Sequence, residues 1–314
     1  LTLSAINNER LIMKVRLIGV PLDLGSDYQG ANLGPAAIRI AGLQEKIEEL
    51  GHEVYDDGDL PVPPRKSLSA GPPNAKFLDT IRKVAADLCV RVIDALSENA
   101  FPVVIGGDHA MAIGTIAGVS KFFKQRGQKI GLIWIDAHAD INTPETSPSG
   151  NIHGMPLATV LGMGVPELVN IGDSGAKLPP EHVHLIGIRS VDKGEKTLLK
   201  KMGVNFYTMT DIDKRGIQEI ISKASAHLVK SVDAIHISLD LDGLDPDIAP
   251  GVATPVKGGL DYREAHLIME TIAETGKLAS MEVAENNPIL DIRNRTAETA
   301  VELVQSALGK RIVD

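Results

Sequence analysis

Residues 130–140 read Ile-Gly-Leu-Ile-Trp-Ile-Asp-Ala-His-Ala-Asp, and the change of character after Ile135 decides the fold. Six uncharged residues make a strand that can be buried on both faces, as strands of a parallel sheet are. The next five carry Asp136, His138 and Asp140 at alternate positions, and in an extended chain residues two apart point to one side. An apolar run that ends in convergent polar groups suits an open α/β sheet, whose ligands bind beyond the carboxyl ends of its strands.

Outward from this stretch, short runs rich in Val and Ile recur at Val15 to Val20, Pro102 to Ile105, Val183 to Ile188, Val204 to Tyr207, Ala234 to Leu239 and Ala279 to Val283. Helical patterns lie between them. In the clearest, Leu78, Ile81, Ala85, Leu88 and Val92 alternate spacings of three and four on a helix that Asn74 is expected to open. Others cover Pro35 to Leu50, Ile217 to Leu228, Leu260 to Ile272 and Ala297 to Leu308. This alternation selects an α/β fold with a mainly parallel sheet and helices on both faces. Proline and glycine cluster at 61–73 and 162–180 without separating segments that could each close a core, so both read as surface loops.

The 41 acidic residues exceed the 32 basic ones and give a formal charge of -9. That balance argues against nucleic acid or an anionic membrane surface as partner and suits a small cationic ligand. No apolar run is long enough for a membrane span. The single cysteine, Cys89, excludes an intramolecular disulfide framework, and the N-terminus shows no secretory pattern, so a cytoplasmic location is expected. Residues 1 to 12 are expected to be a disordered extension.

Two further apolar runs end as residues 130–135 do. Gly106-Gly107-Asp108-His109 follows Pro-Val-Val-Ile, and Asp240-Leu241-Asp242 follows Ile-His-Ile-Ser. Either motif alone is as well suited to turns and helix caps, and the inference comes from their joint placement. Two histidines and four aspartates can then face one point, and four buried carboxylates without counter-charge would repel prohibitively, so divalent cations are the natural resolution. Carboxylate and imidazole donors without thiolate favour Mn²⁺ or Fe²⁺ over structural zinc. Six ligands suit two cations about 3.5 to 4 Å apart that share carboxylates and acidify a water between them. Four aspartates balance two such cations, and the hydroxide leaves the centre formally negative, which welcomes a guanidinium.

The motifs at 106–109, 136–140 and 238–246 resemble the three metal motifs of the ureohydrolase family, which includes arginases and agmatinases, and the likeness runs from Gly19-Val-Pro-Leu-Asp-Leu-Gly25 to Asn287-Pro-Ile-Leu-Asp291. The resemblance implies a three-layer α/β/α catalytic domain over residues 13–314 and two manganese ions per subunit. One ion would be held by His109, Asp136, Asp140 and Asp240, the other by His138, Asp136, Asp240 and Asp242, with Asp136 and Asp240 bridging. It also implies homo-oligomers, trimers or hexamers.

The loop from Asn142 to Gly154 resembles the arginase loop that grips a substrate α-carboxylate, which assigns Asn142, Ser149 and Asn151, with His153 as the proton-transfer histidine. Agmatinases typically lack this Ser-Gly-Asn-x-His-Gly pattern. By the same likeness Asp192 and Glu195 meet the α-amino group, although acids opening a helix also simply complement its dipole. Counting back from Asn287-Pro288 selects Glu285 for the guanidinium, with Thr254 as its hydrogen-bonding support; Glu282, an odd number of residues away, is expected on the opposite side of the strand. His153, Asp140 and Glu285 are thus the expected catalytic residues. The expected activity is an arginase, cleaving L-arginine to L-ornithine and urea. The alternatives are hydrolysis of agmatine or another guanidino compound, a related-fold zinc deacetylase, and a non-catalytic metal-binding protein.

Overall fold

The computed structural model describes residues 12–311 and 313; residues 1–11 of the expected extension lie outside them. Eight strands form one sheet among the described residues: β1 (Lys14–Val20), β2 (Glu53–Asp59), β3 (Ala100–Gly106), β4 (Ile130–Ile135), β5 (Val183–Ile188), β6 (Asn205–Thr208), β7 (Ala234–Asp240) and β8 (Leu278–Ala284). Their order is β2-β1-β3-β8-β7-β4-β5-β6, and every pairing is parallel.

Successive strand residues supply opposite cores. Ile18, Val104, Leu132 and Trp134 face one cluster with α3 (Leu78–Ser97), α4 (Ala112–Lys124), α5 (Pro156–Val160), α6 (Pro166–Val169) and Leu199 of α7 (Lys193–Met202). Leu17, Val103, Ile133 and Ile135 face the other, with α1 (Gly34–Ile40), α2 (Leu43–Glu48), α8 (Met209–Arg215), α9 (Ile217–Ser231), α10 (Tyr262–Glu274) and α11 (Arg295–Ala307). The expected three-layer α/β/α arrangement with a parallel sheet is therefore found. No described helix is long and apolar enough to cross a membrane.

Topology places the site. β3 and β4 are consecutive in sequence but separated in the sheet by β8 and β7, and the register sets Ile105 beside Val283, Val283 beside Leu239 and Leu239 beside Ile135. The chain thus leaves four adjacent strands at one level, where an α/β sheet forms its ligand crevice.

Several local expectations are corrected. Asn74 does not cap α3; Phe77, in a left-handed conformation at φ 55°, precedes its first residue. The single helix expected over Pro35 to Leu50 is two, broken where Gly42 takes φ 84°. β2 was not expected, because Glu-Val-Tyr-Asp-Asp-Gly-Asp is a polar, largely exposed edge strand. Nor was α4, whose small and apolar residues surround its axis without forming a stripe.

That helix packs closely on α3. A β-carbon at Gly114 would lie 2.5 Å from the carbonyl oxygen of Ala85 and 2.9 Å from its Cα, both backbone atoms that cannot yield cheaply. Gly114→Ala is therefore expected to lower unfolding stability by about 1–3 kcal/mol through overpacking, measured by denaturant titration. An unchanged midpoint would contradict this close approach.

Candidate active site

His109 stands at the start of a short 3-10 turn after β3, capped by Asp108, whose side chain accepts from the Ala110 amide. Its ring is fully buried, with Nδ1 3.3 Å from Asp136 Oδ2, 3.2 Å from Asp140 Oδ2 and 3.0 Å from Asp240 Oδ2. These four residues can hold one ion. Asp136, His138 and Asp242 make a second such group, with His138 Nδ1 3.5 Å from Asp136 and 3.1 Å from Asp242. Asp136 belongs to both groups, whereas Asp240 joins only the first. One Asp240 oxygen faces His109 while the other accepts from the Asp242 amide at 2.8 Å.

Convergence of 136, 138 and 140 does not come from a continued strand. β4 ends at Ile135, and Asp140 takes φ 48°, so the chain curls around the site instead of alternating past it. Backbone amides hold the curl. Asp136 Oδ1 accepts from the His138 amide at 2.6 Å, and Asp242 Oδ1 from the Ala137 amide at 3.2 Å.

Sequence reading missed the support behind His109. Trp134 stacks on its ring at 4.2 Å between centroids and donates Nε1–H to Asp136 at 2.9 Å. On the far side, His109 Nε2 lies 2.8 Å from Ser238 Oγ, which donates to Glu282 at 2.7 Å. Because Ser238 spends its own proton on Glu282, its oxygen accepts from His109 Nε2–H, which leaves Nδ1 as the nitrogen that can bind a metal. The signal was available, because Trp134 and Ser238 sit two residues before Asp136 and Asp240 and so share their face.

Glu285 is 1% exposed; its Oε1 accepts from the His109 amide at 2.9 Å and lies 3.1 Å from His153 Nδ1, and its Oε2 has no partner. The expectation that Glu282 faces away fails. Glu285 lies beyond β8 at φ 64°, and this left-handed residue brings both glutamates to the side of His109, Glu282 deep beneath Ser238 and Glu285 nearer His153. Thr254 is corrected too: its hydroxyl donates to Asp242 at 2.8 Å, while Glu285 takes its partners from His109 and His153.

A cleft opens over these groups, lined by His138, Asp140, Asp240, Asp242 and His153 on its floor and by Asn142, Ser149, Asn151, Asp192 and Glu195 on its walls. Asp192 and Glu195 form a capping box on α7. Glu195 is largely committed, accepting from the amides of Asp192 at 2.9 Å and Ile141 at 3.2 Å, whereas Asp192 accepts the Asn142 side-chain amide at 3.1 Å. Helix capping and cleft lining are combined in one pair of acids.

The donor set fits divalent cations on the structure's own terms. His109 Nδ1 is buried without a hydrogen-bond partner, yet three carboxylates surround it. Burial, then Asp136, raises the Asp140 carboxyl to about 6, and burial with Asp242 and Asp136 raises Asp240 well above its usual range. Burial opposes charge on the imidazoles, but Asp242 and Asp136 outweigh it and push His138 up to about 12, and Glu285 likewise takes His153 to about 9. Protons thus crowd into a space that cations can fill.

A group whose pKa rises on folding contributes stability below its unfolded value and loses it as pH climbs through the folded one. For Asp140 the window runs from 3.8 to about 6, and for His153 from 6.5 to about 9. Both act in one direction. Protein stripped by chelator is expected to lose melting temperature progressively from about pH 4 to about pH 9 and to regain it with Mn²⁺. A stripped protein with a level melting point across that range would contradict the crowding.

Known proteins resemble this chain along nearly its whole length. The family model described as the arginase family matches residues 13–309. The arginase of Bacillus caldovelox is 47% identical over 300 residues, covering 95% of this chain and 99% of that protein, and the arginase of Bacillus subtilis is 46% identical over 299 residues, with 95% and 99% covered. The solved native structure of the Bacillus caldovelox arginase superposes with a TM-score of 0.92 at 46% identity, covering 96% of this chain and all of that one. With the eight-stranded parallel sheet and the carboxylate-histidine cluster at its carboxyl edge, these likenesses show that the chain belongs to the arginase family.

Proposed function

We infer that this protein is an arginase, a hydrolase that cleaves the guanidino C–N bond of L-arginine to give L-ornithine and urea, and that it works with two manganese ions. The observation that carries the reading is the pair of ligand groups sharing Asp136, set beneath a cleft whose walls bear Asn142, Ser149, Asn151 and Asp192. One end suits a guanidinium. The other offers amide, hydroxyl and carboxylate groups to an α-carboxylate and an α-ammonium.

His109, Asp136, Asp140 and Asp240 would hold one ion, and Asp136, His138 and Asp242 the other; the second Asp240 oxygen accepts the Asp242 amide and, like Asp136 Oδ1 beside the His138 amide, keeps a lone pair for a second ion. When bound, such ions acidify water and stabilise developing negative charge. Glu285 offers its free Oε2 to a guanidinium N–H and orients His153 through Oε1. With Nδ1 held, His153 keeps Nε2 to deliver a proton to the departing amine of ornithine, an established use of a histidine near neutral pH. Asp192 faces the α-ammonium, and Glu195 supports Asp192 from behind through its amide. Agmatine hydrolysis would use the same floor, but the 149–151 wall would lack a partner. The similarity to curated arginases favours arginine.

Urea release after incubation with Mn²⁺ is expected to be fastest from L-arginine and slower from agmatine; no urea from arginine would overturn the reading. Asp136→Ala should remove metal from both groups and lower turnover by more than about 100-fold, the upper cost of losing even an outer support of a metal ligand. Full metal content in that variant would refute the shared ligand. His153→Asn should lower kcat by about 100-fold, the scale of one lost proton transfer, and keep its metals; normal turnover would remove His153 from the reaction.

A further inference from the structure

The proline- and glycine-rich stretch 61–73, expected to be a plain surface loop, runs into a segment that backs the cleft wall from behind. Residues 73–76 pack directly on the backbone of Gly150 and reach the side chain of Asn151. The Lys76 amide donates to the Gly150 carbonyl at 3.0 Å. Gly150 takes φ 72°, and a β-carbon there would overlap the Pro73 carbonyl oxygen and come within 2.8 Å of the Asn74 Cα. The Lys76 side chain, 26% exposed, donates Nζ–H to Asn151 Oδ1 at 3.1 Å and to both oxygens of Asp27 at 2.8 and 3.0 Å. Asn151 is 8% exposed and lines the cleft with Ser149.

We propose that Lys76 is a specificity-determining residue, setting the preference of the cleft for a guanidino amino acid over the amine that lacks its α-carboxylate. The proposal rests on the reading of Ser149 and Asn151 as the carboxylate wall. An asparagine amide can present either its oxygen or its N–H2 group to a ligand, and only the second serves a carboxylate. The Lys76 ammonium occupies the Asn151 oxygen, which leaves N–H2 as the half that serves a ligand: the Asp27 carboxylate draws on one of its hydrogens and the other remains, polarised by the ammonium. Asp27 keeps the ammonium at this post and offsets its charge, so the effect is local. A decarboxylated substrate gains nothing from an oriented donor and leaves it unpaired, the circumstance in which polar sites discriminate best.

The test compares kcat/KM for L-arginine and agmatine in the manganese-loaded enzyme, its Lys76→Met variant and its Lys76→Arg variant. Lys76→Met should lower the arginine value about tenfold, chiefly through KM, as expected for one charge-assisted hydrogen bond, and leave agmatine within about twofold. Lys76→Arg, which restores a cationic donor, should recover most of the preference. Equal losses on both substrates, or an unchanged arginine-to-agmatine ratio in Lys76→Met, would overturn the role of Lys76. A wild-type enzyme that does not prefer arginine at all would instead sink the carboxylate-wall reading, and the two failures are thereby distinguished.

Discussion

Four aspartates buried around two histidines, with His109 Nδ1 within 3.3 Å of three of the carboxylates, are the constraint on which the rest of this structure depends. Taking one carboxylate out of water is costly, and gathering several in a space a few ångströms wide is tolerable only with protons or cations among them. The fold makes the gathering possible. β3, β8, β7 and β4 lie side by side in matched register, so loops from distant parts of the chain emerge at a common level.

Around that centre most groups serve to hold a ligand in place. Asp136, Asp240 and Asp242 each give one oxygen to a backbone amide two residues away or on the neighbouring loop, which fixes the carboxylate plane and points the other oxygen at a histidine. Behind Asp242, the Arg189 guanidinium donates to the carbonyls of Asp242, Gly243, Leu244 and Val256, tying the end of β7 to the loop that carries Thr254. Such outer partners determine how well a metal site is preorganised. The floor of the cleft is therefore held by fixed backbone partners on several sides.

The sheet and the six donors were legible in the sequence because buried parallel strands are continuous apolar runs and their carboxyl ends carry the polar residues. Three kinds of feature were not. The polar edge strand β2 lacks the apolar signal, and α4 lacks a stripe because Gly114 and Gly118 let it lie against α3. Asp140 and Glu285 adopt left-handed backbone, which non-glycine residues rarely announce, so alternation arguments placed Glu282 on the wrong side and did not foresee the contact of Glu285 with His153. Hydrogen-bond partners across the fold, such as Thr254 with Asp242 and Lys76 with Asn151, depend on tertiary packing that spacing does not encode.

These donors, in our reading, form one centre for a pair of ions. Elemental analysis of fully active, manganese-loaded protein measures this most directly. Two manganese ions per chain are expected, with activity rising as the second is taken up. Full activity at one ion per chain would contradict it.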